Sequence, residues 1–277
     1  MKPLRKQFIE QMQLDGLGPR TIKTYVQCIL SLAKYFNLSP DLLTIPQIRD
    51  YFLYCLNVRK LSKSWMNQTI SALKILHVEV LKREWNKIDI PRPRREKKLF
   101  LVLSREEVRL ILNVLPYIKH RALLTLTYSA GLRLSEVCNL KLSDIDSSRM
   151  LVRVEQGKGY KDRYTILSPV ALQLLYDYHK ICKSKYWLFE NQFGKPVPER
   201  TAQKIFKNAL AKSGVKKDAS FHTLRHSFTT HLMEQGVALP IIQMLLGHKS
   251  LKTTSLYLHV QQYSLEAVRS PLDTLGL

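Results

Sequence analysis

The sequence predicts a mainly α-helical protein with one small β-hairpin or sheet, divided into an N-terminal helical bundle and a larger mixed α+β part. Three observations support this. Apolar residues recur at helical spacing through the first ninety positions. A basic stretch with two prolines, Pro91-Arg92-Pro93-Arg94-Arg95-Glu96-Lys97-Lys98, then interrupts the chain where no helix can continue. Beyond it, a single pair of strand-like runs stands among segments bounded by helix-capping residues.

The first part holds four expected helices. One covers residues 3–14, and the next follows Pro19, which suits a first helical turn, with Ile22, Val26, Ile29, Ala33 and Phe36 on one stripe. A third runs from Pro46 to Leu56 with Ile48, Tyr51, Phe52 and Cys55 inward. The fourth follows Ser62 as cap and carries Met66, Ile70, Leu73, Leu76 and Val80. These stripes read as core. The expected boundaries are therefore 1–90 for the bundle, 91–99 for a basic linker and 100–277 for the second domain.

In the second part Ser104 caps a helix through Leu115, with Glu106 and Glu107 at its positive end. Arg121 to Ala130 is apolar enough for a buried helix, ended by Gly131. Leu151 to Val154 and Tyr164 to Leu167 read as two strands joined through a basic tip, Gly157-Lys158-Gly159-Tyr160-Lys161-Asp162. Helices then follow Ser168-Pro169, Pro198 and Ser220, the last two ending near Gly214 and Gly236. A short one runs from Pro240 to Gly247, and Ser250 begins a helix that carries Tyr257.

Charge narrows the function classes. Forty-four Lys and Arg against 22 Asp and Glu leave a net +22. The excess is spread over the chain, with 19 basic and 8 acidic residues up to position 98 and 25 and 14 beyond it. Such a field attracts a polyanion over a wide surface, and nucleic acid is the expected partner. A ribosome- or membrane-associated basic protein would show the same balance. Within the 91–98 run, Arg92, Arg94, Arg95, Lys97 and Lys98 would suit a linker laid along a DNA backbone, or simply a solvated charge run. No apolar run reaches the length of a membrane span and no secretory signal is visible, so a cytoplasmic protein with no membrane partner is expected. Cys28, Cys55, Cys138 and Cys182 are too scattered for a zinc site and read as reduced core residues.

Breaking a DNA strand without water or metal requires fixed positive donors for the dianionic transition state. It also requires a group to handle the nucleophile's proton and an acid for the leaving 5′ oxygen. The second part offers such a set. Arg133 lies at a glycine break between two helices, Lys158 at the hairpin tip, and His222 and Arg225 share one face near a helix start. His248 follows Gly247 at a helix terminus, and Tyr257 lies nine residues further on. Taken singly each residue is ordinary, and the adjacent His226 and His231 read as structural.

Together the anchors Gly131-Leu132-Arg133-Leu134-Ser135-Glu136, Gly157-Lys158-Gly159, His222-Thr223-Leu224-Arg225, Leu246-Gly247-His248 and Tyr257 resemble the tyrosine recombinase (phage integrase) family, in the family's order and at similar separations. The shorter, Xer-like members carried by mobile elements are the most similar. The resemblance covers nearly the whole chain, with a SAM-like core-binding bundle before the linker and a catalytic domain after it. It implies that Arg133 and Arg225 clamp the non-bridging phosphate oxygens, that Tyr257 attacks to form a 3′-phosphotyrosine, and that Lys158 protonates the leaving oxygen. By the same resemblance His222 handles the tyrosine proton, His248 hydrogen-bonds the phosphate, and Glu136 orients the site. The implied partners are double-stranded DNA and three further copies of the chain, acting as a tetramer through a Holliday junction. No metal or nucleotide cofactor is implied. A type IB topoisomerase would perform the same transesterification as a monomer, and a non-cutting DNA-binding accessory protein would keep the fold alone.

Overall fold

The structure is a computed structural model that describes residues 2–85, 92–93, 100–157 and 161–247. Two compact units divide the chain, residues 1–97 and 98–277.

In the first unit, α1 (Lys2–Leu14), α2 (Pro19–Phe36), α3 (Ile45–Asn57) and α4 (Lys63–Lys74) follow the expected stripes. Their buried faces meet in one core through Phe8, Met12, Leu32, Ile48, Cys55, Ile70 and Leu73. The caps are those that the sequence supplies. Ser62 accepts the Trp65 amide at 3.2 Å, and Thr44 and Gln47 bond reciprocally at the start of α3. One helix departs from expectation. The α-helix expected through Val80 stops at Lys74 and continues as a π-helix over Ile75–Val80, with His77 buried and edge-on to Trp85. Of the linker cations, Arg92 lies against α4, where its guanidinium donates to Ser71 Oγ at 3.1 Å. Arg94, Arg95, Lys97 and Lys98 lie outside the described residues.

The second unit is built around α6 (Ile118–Ser129), which starts three residues before its expected position. It follows α5 (Arg105–Asn113), where Ser104 is the expected cap and Glu107 bonds back to its amide, closing a capping box. After the short α7 (Leu134–Cys138) comes an antiparallel sheet in the order β1-β2-β3, formed by β1 (Ile145–Asp146), β2 (Leu151–Gly157) and β3 (Lys161–Ile166). Helices α8 (Pro169–Cys182), α9 (Glu199–Lys212), α10 (Phe221–Glu234) and α11 (Leu239–Leu246) complete the described chain. Leu123, Leu124 and Leu126 of α6 are fully buried in a core shared with Val152, Phe189, Phe206 and Leu224.

Strand β1 was not expected, because two residues carry no alternation to read. It is held by pairing of Ile145 with Val152, and by Asp146 closing the following turn onto Ser148 and the Arg149 amide. The hairpin strands run further toward the tip than predicted, to a pairing of Gly157 with Lys161. Cys28, Cys55 and Cys138 are buried free thiols. Cys182 corrects the expectation of four core cysteines, since it ends α8 and is exposed. Among the described residues no helix is long and apolar enough to cross a membrane, and no cluster of three metal-ligating side chains occurs.

Candidate active site

The site begins at the break between α6 and α7. Gly131 adopts φ +60°, a left-handed conformation that turns the chain sharply, and a Cβ there would collide with the Phe228 ring and lie 3.3 Å from Leu246 Cδ2. Gly131→Ala is accordingly expected to cost about 2–4 kcal/mol, combining backbone strain with overpacking. The check is the denaturant midpoint of the full chain.

Just past this turn, Arg133 stands at the N-cap of α7, and Glu136 lies three residues on. The Glu136 carboxylate accepts the Arg133 amide at 2.7 Å and Arg133 Nη1 at 2.6 Å. Arg225 arrives from α10, five residues past the Ser220 cap, with its Nη1 3.6 Å from the same carboxylate. Its guanidinium plane is set by two main-chain carbonyls, with Nη1 donating to Gly131 O at 2.6 Å and Nη2 to Leu246 O at 2.5 Å. The Leu246 carbonyl ends α11, where unpaired carbonyls and the helix dipole both favour a cation. Arg133 is the more open of the two arginines, with side-chain exposure of 20% against 5% for Arg225.

His222 projects from the first turn of α10 and keeps solvent access. Its pKa is lowered, chiefly by desolvation from the surrounding protein and then by Arg225 and Arg133, with Glu136 and Glu199 opposing. At neutral pH the ring is therefore neutral and can accept a proton. The structure thus brings four of the expected site residues, Arg133, Glu136, His222 and Arg225, close together. His226, read as structural, stacks on Phe100 at 4.5 Å, and burial, followed by His222 and Arg225, lowers it to about 4. His231 bonds the Tyr128 hydroxyl at 2.8 Å and is buried. Lys158, His248 and Tyr257 lie outside the described residues, although the paired ends at Gly157 and Lys161 and the left-handed Gly247 at the end of α11 are described.

One residue of this cluster escaped the sequence reading. Arg163, on β3, is buried and donates to both oxygens of Glu136, Nη1 to Oε1 at 2.8 Å and Nη2 to Oε2 at 2.7 Å, while Nε reaches Leu245 O at 2.9 Å. Period-2 alternation puts it on the same face of β3 as buried Thr165, and that was the one available signal. Burial alone would raise the Glu136 pKa. The hydrogen bonds and charge of Arg163, then of the Arg133 amide and guanidinium, overcome this and hold it at about 2. Glu136 is thus a permanent anion around which three arginines gather, leaving a net positive pocket beside a neutral imidazole.

Comparison with known proteins places this arrangement in context. Residues 102–263 match the phage integrase family, and residues 4–87 match the phage integrase N-terminal SAM-like domain. A Sinorhizobium fredii chain of the integrase/recombinase type is 40% identical over 277 residues, covering 99% of this chain and 90% of the relative. The tyrosine recombinase XerA of Thermococcus kodakarensis is 34% identical over 92% of this chain and 90% of its own. In fold, the chain is similar to a lambda integrase dimer bound to a COC′ core site, with a TM-score of 0.77 at 19% identity over 97% of this chain and 99% of that one. It is also similar to the XerH site-specific recombinase bound to difH substrate, with a TM-score of 0.71 at 24% identity over 88% and 77%.

Proposed function

Since this chain belongs to the phage integrase family and is a tyrosine-type site-specific recombinase, we propose that it cuts duplex DNA by attack of the Tyr257 phenolic oxygen on a backbone phosphate. The new bond is a 3′-phosphotyrosine and the broken one is P–O5′. The phenolic proton passes to neutral His222, and Lys158 supplies a proton to the departing 5′ oxygen, so that a free hydroxyl remains to reverse the step on a new partner strand. Arg133 and Arg225 hold the non-bridging oxygens, and His248 donates to one of them. The phosphotyrosine retains the energy of the broken linkage. The convergence of Arg133 and Arg225, 92 residues apart in sequence, on Glu136 is the observation that carries this reading.

The partner is double-stranded DNA, consistent with the net +22 and with the DNA-bound state of the structural neighbours. Residues 1–90 and 100–277 act as two basic modules joined by residues 91–99, and each alone binds more weakly than the whole. Two protomers occupy each site, and two sites assemble a tetramer that exchanges strands through a Holliday junction. Trapping covalent junctions on fragmented source DNA locates the site. Mass photometry on duplexes carrying that site then reads stoichiometry, and four protomers on two duplexes are expected. One protein per duplex that relaxes supercoils would replace the recombinase reading with a topoisomerase. DNA binding without any covalent junction would leave an accessory protein.

A further inference from the structure

We infer that Arg163 is a positioning residue of this active site: by gripping Glu136 and the last turn of α11, it sets the orientation of Arg133 and Arg225 relative to each other. The inference rests on the reading of those two arginines as the phosphate clamp.

The geometry begins with an unusual choice of side chain. Arg163 occupies an inward position of β3, where an aliphatic residue would fill the core, and a guanidinium there is tolerated only if its donors are met. All three of its nitrogens are engaged. Two form a parallel fork onto the Glu136 carboxylate and the third holds the Leu245 carbonyl. The left-handed Gly247 lies two residues on, and a Cβ there would stand 2.7 Å from Arg163 Cδ, so the end of α11 rests close against this side chain.

Arg163 and Arg225 therefore share both of their anchor points. They bind neighbouring carbonyls, Leu245 and Leu246, at the end of α11, and they flank the same carboxylate. Arg133 takes that carboxylate through its amide and Nη1. A displacement of Arg163 would move Glu136 and the α11 terminus together, and with them the fixed partners of both clamp arginines. The side chain of Arg163 is only 8% exposed, against 20% for Arg133, so it acts through these partners. Among the described residues, Arg133 and its amide from α7, Arg163 from β3, and Arg225 and His222 from α10 face Glu136, and α11 presents the Leu245 and Leu246 carbonyls to the two buried arginines. Without Arg163 the carboxylate stays buried but loses its strongest partner. It should then take up a proton at a pH where the wild-type group is still ionised.

The experiment uses the full chain and a nicked suicide duplex carrying the cleavage site recovered by covalent trapping. Rates of covalent complex formation are measured from pH 5.5 to 8.5 at saturating protein, with non-covalent affinity measured separately. Arg163→Met is expected to cleave at least about tenfold more slowly at pH 7.5, with affinity within about threefold of wild type. Its rate should also fall more steeply toward acid than the wild-type rate. Both proteins carry His222, whose titration differs between them only through the charge on Glu136, so the ratio of the two profiles still reports that carboxyl. Adding Glu136→Gln to Arg163→Met should abolish the extra acid loss, because no titrating carboxyl remains. Arg163→Lys, which keeps the charge but cannot fork, should fall between the two and carries the same readout should the Met variant fail to fold. A wild-type rate for these variants, or a slow rate whose pH profile superimposes on the wild type, would overturn the inference. An Arg133→Ala control that cleaves at the wild-type rate would instead remove the clamp reading, and this inference with it.

Discussion

Tyr257→Phe is expected to retain DNA binding and to lose covalent attachment by on the order of 10⁴-fold or more, because the substitution removes only the phenolic oxygen. The net positive pocket built by Arg133, Arg163, Arg225 and Glu136 remains intact in such a variant, so phosphate recognition survives while no bond can form. A nicked suicide duplex resolved on a denaturing gel reads the covalent product, and a native gel of the same mixture reads binding. If the Phe variant still became covalently linked, another residue would be the nucleophile and Tyr257 would be packing.

Lys158→Ala should slow cleavage of an ordinary substrate by about 10²–10⁴-fold, the usual contribution of a general acid. Replacing the bridging 5′ oxygen by sulfur supplies a group that leaves without a proton. On that substrate Lys158→Ala is expected to recover most of its rate. Arg133→Ala is not, because its defect lies in stabilising charge on the non-bridging oxygens, which the sulfur leaves unchanged. Single-turnover rates for both variants on both substrates test this. Equal defects for Lys158→Ala on oxygen and sulfur would assign the lysine to binding the phosphate instead of to proton transfer.

Local patterns in the sequence determined most of the element order. Helices α2 to α5 begin where Pro19, Thr44-Ile45-Pro46, Ser62 and Ser104 allow, since caps and prolines act through bonds to residues only a few positions away. Glu136 entered as Arg133's partner through the family resemblance, while the same near-neighbour logic put His222 and Arg225 on one face as candidate site residues. It failed where the deciding contact is distant. Strand β1 exists only because Val152 and Leu151 pair with it, and the π turn after Lys74 accommodates a buried His77 that no local pattern marks.

The centre of the site was likewise decided by tertiary structure alone. Arg163 meets Glu136 across 27 residues and Leu245 across 82, and Arg225 meets Gly131 across 94. In a chain with 44 basic residues, a buried arginine on a strand has the same local signature as a solvated one. Sequence by itself therefore named the candidate side chains, and the expected elements of Arg133, His222 and Arg225 are those that the structure describes. Which cations surround the Glu136 carboxylate depends on how β3, α7, α10 and α11 pack, because only that packing excludes the water that would otherwise screen and separate these charges.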